Sequence, residues 1–127
     1  MMNKIIRASS MDHVNMSVKN LDQSVEFYSK VFGFEVKKDQ PEQKSKIIGN
    51  DTIKLCLYEN PEMSPEGGIA HFGFFVENFD QIMEICKSLG VTVYYDGPVR
   101  FEKSRSVYIA DPNGYDIELS EVVGGGL

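Results

Sequence analysis

The sequence predicts an α+β fold: two tandem βαβββ modules whose strands form a curved mixed sheet around a central cup, with the helices on the convex side. Three observations carry that reading. The chain repeats itself: the stretch from His13 to Glu26 and the stretch from His71 to Glu84 lie 58 residues apart. They share six identical positions, His13/His71, Val18/Val76, Asn20/Asn78, Asp22/Asp80, Gln23/Gln81 and Glu26/Glu84. Each copy opens with a strand-like run and passes at once into an apolar pattern of helical spacing. Each helical pattern is bracketed by start and stop signals.

In the first copy Val14, Met16 and Val18 alternate with His13, Asn15 and Ser17, the signature of a half-buried strand. Asn20-Leu-Asp-Gln23 reads as a capping box. Leu21, Val25, Tyr28 and Phe32 then follow helical spacing, and Gly33 stops the helix. Residues 34–38 read as a second strand and 39–45 as a polar connection. Strands at 46–49 and 52–58, joined by an Asn50-Asp51 turn, complete the unit. The second copy repeats the plan. A strand at 71–76 precedes a second capping box, Asn78-Phe-Asp-Gln81. Phe79, Ile82, Met83, Ile85, Cys86 and Leu89 supply an apolar helix face, and Gly90 ends it. A strand at 91–95, an irregular segment at 96–104 and strands at 105–110 and 115–121 follow. The last two are joined by Asp111-Pro-Asn-Gly114, whose Pro and Gly positions fit a type I turn. The organisation is then an N-terminal arm (1–10), module 1 (11–59), a linker (60–70), module 2 (71–121) and a flexible tail (122–127), one domain overall.

Composition narrows the function. A chain of 127 residues with 42% hydrophobic and 25% charged residues matches an ordinary globular domain. No apolar run approaches the roughly 20 residues that cross a bilayer. A net charge of −6 disfavours a protein that neutralises nucleic-acid phosphates. Two cysteines without a disulfide framework, and no signal-like N-terminus, fit a cytoplasmic location.

Period-two geometry brings the chemistry to one face. Ile117 and Leu119 oppose Glu118, and Leu55 and Leu57 oppose Cys56 and Tyr58. With the aliphatic faces on the helices, His13, His71, Glu118 and Cys56 share the concave side. Two imidazoles and a carboxylate suit Fe, Mn, Zn, Ni or Co as a divalent ion and leave open positions for a substrate. His13, His71 and Glu118 are therefore the candidate metal ligands, with Cys56 as a possible fourth. The blander readings are that strand histidines are structural and that Cys56 is a small buried hydrophobe. Asn15, Phe75, Arg100, Arg105 and Tyr108 are substrate-binding candidates, set against plain packing and solvated loop charge. Tyr58 and Cys56 are the candidates for a catalytic base.

The strings Asp12-His13-Val14, Asn20-Leu-Asp-Gln-Ser-Val-Glu-Phe-Tyr28, Val31-Phe-Gly-Phe34, His71-Phe-Gly-Phe74 and Val107-Tyr-Ile-Ala-Asp-Pro-Asn-Gly-Tyr-Asp-Ile-Glu118 together resemble the vicinal oxygen chelate superfamily. That superfamily holds glyoxalases, bleomycin-resistance proteins, fosfomycin-resistance transferases and extradiol dioxygenases. The resemblance implies paired βαβββ modules around a divalent metal at His13, His71 and Glu118, a homodimer and a small-molecule substrate with two adjacent oxygens. It implies a lyase, isomerase or dioxygenase. The alternatives are a metal-free drug- or antibiotic-binding protein of the bleomycin-resistance type and a fosfomycin-type thiol transferase. Four departures bear on the choice. Cys56 stands where glyoxalase I carries a fourth ligand. Asn15 stands where the fosfomycin transferases carry threonine, and no basic residue follows Glu118. Extradiol dioxygenases normally add an acid–base His or Tyr; the chain has no third His, which leaves Tyr58 or Tyr108 as the substitute.

Overall fold

A computed structural model describes residues 7, 11, 13–64 and 71–122. Asp12, most of the N-terminal arm, residues 65–70 of the linker and residues 123–127 of the tail lie outside the described residues. The elements run β1 (Val14–Val18), α1 (Leu21–Phe32), β2 (Glu35–Gln40), β3 (Ser45–Gly49), β4 (Lys54–Glu59), β5 (Phe72–Phe75), α2 (Ile82–Leu89), β6 (Val99–Arg100), β7 (Arg105–Ala110) and β8 (Asp116–Ser120). They build two four-stranded sheets with the same connectivity, β1-β4-β3-β2 and β5-β8-β7-β6. In each sheet the first strand pairs in parallel with the last, and the remaining pairs are antiparallel. This is the duplicated βαβββ plan.

The helix ends show why the elements sit where they do. Asn20 is extended, and its side-chain oxygen accepts from the Gln23 amide at 2.9 Å, so α1 starts on a true N-cap. Gly33 ends it in the left-handed region at φ 70°, where its amide and that of Phe34 reach back to the Ser29 and Tyr28 carbonyls. Gly90 repeats this stop for α2. The second capping box does not form. There the chain enters through a 3-10 turn at Phe79–Gln81, and the Gln81 amide already donates to the Asn78 backbone carbonyl. The Asn78 side chain instead donates to the Gln81 side-chain oxygen at 3.1 Å.

The second strand expected in module 2 also differs from expectation. Residues 91–95 make a single bridge, Val93 to Ile109. The chain then leaves the ladder because Tyr95 and Asp96 are left-handed, at φ 60° and 59°, with Gly97 at 121°. It rejoins as β6, inside the segment expected to be irregular. Two non-glycine residues in that region cost about 1–2 kcal/mol each.

One hydrophobic core serves both modules. Val18, Tyr28, Leu55 and Leu57 of the first and Val107, Ile109, Ile117 and Leu119 of the second belong to the same cluster. The end of α1 and the residues just past it join them: Phe32 and Phe34 meet Phe74 of β5 with ring centroids 5.2 and 5.8 Å apart. A buried polar clasp completes the joint. Asp111 takes the Asn113 and Tyr115 amides on one oxygen, and the Tyr28 hydroxyl and the Asn113 side-chain amide on the other. Asn113 in turn donates to Ser24 and accepts from the Lys19 amide, and the Tyr115 hydroxyl donates to the Ser17 carbonyl. Among the described residues no helix is long and apolar enough to cross a membrane.

Asp111→Ala strands four donors, three of them in buried hydrogen bonds, and should cost roughly 3 kcal/mol or more in denaturant unfolding. Tyr28→Phe leaves Asp111 its other donors and should cost about 1 kcal/mol. Burial, and then Asp111, hold the Tyr28 hydroxyl well above the usual tyrosine pKa of 10.0. The unfolded chain therefore gives up this proton first, so the contribution is complete below pH 10 and declines as pH rises beyond it. The alkaline decline in stability should be shallower in Tyr28→Phe, as measured by unfolding midpoints from pH 8 upward.

Candidate metal centre

Three strands of the second sheet set the site. Glu118 on β8 is the register partner of Gly73 on β5 and of Tyr108 on β7. His71 precedes Gly73 by two residues, so its side chain leaves the same face. Gly73 keeps the ground between them open: a Cβ there would stand 3.2 Å from the Glu118 carbonyl oxygen and 3.5 Å from its Cβ. Across that gap His71 Nε2 lies 3.0 Å from Glu118 Oε1. The other carboxylate oxygen, Oε2, accepts from Ser106 Oγ at 2.7 Å. Ser106 is fully buried, while the Glu118 and His71 side chains keep 19% and 44% of their surface, so the pair opens to solvent from one side.

Aromatic rings frame this pair. Tyr108 stands edge-on to His71 with centroids 5.8 Å apart, and Tyr95 stands edge-on to Tyr108 at 5.4 Å. The left-handed excursion at Tyr95 is what brings its ring there. Burial first, and then the Glu118 charge and hydrogen bond, push the Tyr108 hydroxyl above its ordinary pKa. At neutral pH it is a hydrogen-bond donor and not a phenolate.

The first sheet carries the corresponding positions. Asn15 on β1 pairs in register with Cys56 on β4, as Gly73 pairs with Glu118. His13 precedes Asn15 by two residues, so His13 and Cys56 occupy the places that His71 and Glu118 hold in the second sheet. His13 and Asn15 are exposed, whereas Cys56 and Tyr58 are half-buried on β4. The structure thus brings His71, Glu118 and Tyr108 together and leaves His13, Asn15, Cys56 and Tyr58 on the other sheet. Among the described residues no group of three or more His, Cys, Asp or Glu side chains is placed to hold a metal.

The chain belongs to the Glyoxalase/Bleomycin resistance protein/Dioxygenase superfamily. The superfamily's model matches residues 10–119. A probable chloroplastic lactoylglutathione lyase of Arabidopsis thaliana is 31% identical over 123 residues, covering 87% of this chain but 35% of that protein. The chain spans less than half the length of such plant relatives. The virulence protein STM3117 of Salmonella typhimurium is 30% identical, covering 89% of this chain and 84% of that protein. Among solved structures, an integron cassette protein from the metagenome of the Halifax Harbour sewage outfall superposes with a TM-score of 0.78 at 29% identity, over 91% of this chain and all of that one. These comparisons agree with the two-module superfamily fold described above.

The remaining candidates are spread over the second sheet. Phe75 is exposed at the end of β5. Arg100 on β6 is exposed and pairs in register with Arg105. Arg105 leaves β7 on the helix side, not the Glu118 side. Its guanidinium binds Glu121 at 2.9 Å through two nitrogens, reaches Asp80 at 3.4 Å and covers the Phe79 ring. That arrangement ties the start of α2 to the end of β8 and engages the Arg105 guanidinium away from Glu118. Sequence reasoning missed Ser106 and Gly73. Their signal was present in the alternation of β7, which puts Ser106 and Tyr108 on one face, and in the register of Gly73 beside Glu118.

Glu118→Gln removes the charge that contributes to the Tyr108 shift. The Tyr108 titration, followed by ring-labelled NMR and assigned with Tyr108→Phe, should move down toward 10.0 yet stay above it, because burial is the larger cause. An unmoved titration would mean that Glu118 does not act on this hydroxyl.

Proposed function

We propose that this chain is a metal-dependent enzyme of the superfamily, a lyase, isomerase or dioxygenase acting on a small molecule with two neighbouring oxygens. The observation that carries the reading is the convergence of His71 Nε2 and Glu118 Oε1 to 3.0 Å on an open face, with Oε2 held from behind by Ser106. An imidazole nitrogen and a carboxylate oxygen suit Fe, Mn, Zn, Ni or Co. The donor set fits such an ion, but among the described residues one chain brings two of the donors, His71 and Glu118, to this place. His13 of a second copy is the third ligand in this reading, with the first sheet of one copy facing the second sheet of the other. The matching register of Asn15/Cys56 and Gly73/Glu118 supports it, since both faces carry a histidine at the same depth. Cys56 then enters the shared cup beside His13 as a fourth donor or as a base, and Tyr58 is the other base candidate.

A divalent metal held there supplies Lewis-acid charge for a developing oxyanion. The protein groups do the remaining work. His71 and Glu118 set where the substrate oxygens sit. The neutral Tyr108 hydroxyl donates to a substrate oxygen as negative charge builds on it. The rings of Tyr108 and Tyr95 shield one side of the site from water.

The test is elemental analysis together with complementation. Protein purified without chelator should carry about one transition metal per chain, and Glu118→Ala and His13→Ala should each lose it. Refolding those two variants together should restore metal to about a quarter of the chains, because each mixed pair rebuilds one complete site from His13 of one copy and His71 and Glu118 of the other. Metal retained by Glu118→Ala would refute the site. Metal lost from both variants and not restored on mixing would place all three ligands within one chain. A protein that binds its small-molecule ligand equally well in all variants and never takes up metal would be a binding protein of the bleomycin-resistance type.

A further inference from the structure

We propose that Ser106 is a positioning residue that limits Glu118 to donating one carboxylate oxygen, and so keeps room at the metal for both oxygens of the substrate. The inference rests on the metal-dependent reading above and extends it to a residue that touches neither metal nor substrate. A carboxylate can offer a metal one oxygen or two, and the second mode consumes a position that a chelating substrate needs. The hydrogen bonds around Glu118 bear on that choice. Oε1 faces His71 Nε2 at 3.0 Å on the open side. Oε2 accepts the Ser106 hydroxyl at 2.7 Å, a short bond of the charge-assisted kind, and is drawn back toward β7.

Ser106 is well placed to hold that direction. Its backbone is paired on both sides, with Val99 of β6 and with Ser120 of β8. The side chain is fully buried, so no water competes for the hydroxyl. Partners behind a metal ligand commonly set its orientation in this way, and losing one changes affinity or activity by about 10- to 100-fold. In Ser106→Ala the carboxylate loses the buried donor that draws Oε2 toward β7; the Tyr108 hydroxyl, which stands on the open face, is then the protein donor left to compete with the metal for it.

The experiment uses the full chain loaded with Co(II), whose visible absorption weakens as coordination number rises, and acetohydroxamate as a two-oxygen probe. Ser106→Ala should keep bound Co(II), show weaker visible bands and bind acetohydroxamate at least about tenfold more weakly. Ser106→Thr, which keeps the hydroxyl, should return both readouts toward those of the unmodified protein, and melting temperatures should track neither. Unchanged bands and unchanged acetohydroxamate affinity in Ser106→Ala would overturn the inference alone. Ser106→Thr behaving like Ser106→Ala would assign the effect to packing and overturn it as well. An unmodified protein that takes up no Co(II) would overturn the metal reading itself, and this inference with it.

Discussion

Asp111 sits at the turn between β7 and β8 and accepts four hydrogen bonds there, two from amides of its own turn, one from the Asn113 side chain and one from Tyr28 of α1. A buried carboxylate is expensive unless its lone pairs are filled, and here they are. The same four bonds do two structural jobs. They close the hairpin whose strands carry Ser106, Tyr108 and Glu118, and so set the register that puts those three side chains on one face. They also lock that hairpin to the helix of the other module, so the two halves of the repeat are held in one orientation. The aromatic contact of Phe32 and Phe34 with Phe74 adds area to this joint, but it lacks direction. The polar clasp supplies the direction.

The repeat explains both the site and its asymmetry. Each module offers a histidine just ahead of its first strand and one side chain from its last strand, on the face away from the shared core. In the second module these are His71 and Glu118, with Gly73 leaving the space between them open. In the first they are His13 and Cys56, with Asn15 in the place of Gly73. Since the helices and the core occupy the opposite faces, both half-sites look outward from a single chain.

Local backbone departures distinguish the second module from the first. Asn20 makes the cap that its sequence promises, whereas its repeat-mate Asn78 does not, because the 3-10 entry to α2 has already used the Gln81 amide. The left-handed pair Tyr95 and Asp96 interrupts an edge strand and leaves a tyrosine ring against Tyr108. Strain of this kind persists where the surroundings hold it, and it is common beside functional sites. Arg105 shows the converse. A cation near the site by sequence is turned away by the strand's alternation and spent on Glu121, Asp80 and Phe79.

Local rules were enough for much of this molecule. The duplicated strand–helix plan, the Gly33 and Gly90 stops, the Asp111–Gly114 turn and the alternation that buries Ile117 and Leu119 while leaving Glu118 outward were all legible in the sequence, because each depends on neighbours two to four residues apart. Tertiary structure alone decided which outward-facing groups meet. The 3.0 Å approach of His71 to Glu118 depends on parallel pairing of strands more than 40 residues apart in the chain, and the hydroxyl behind Glu118 comes from a third strand. The separation of His13 and Cys56 from that pair depends on how the two modules dock through α1 and Asp111. Spacing along a chain encodes which face a residue takes, whereas distance across strands is set by register and by packing between modules, to which every part of the core contributes.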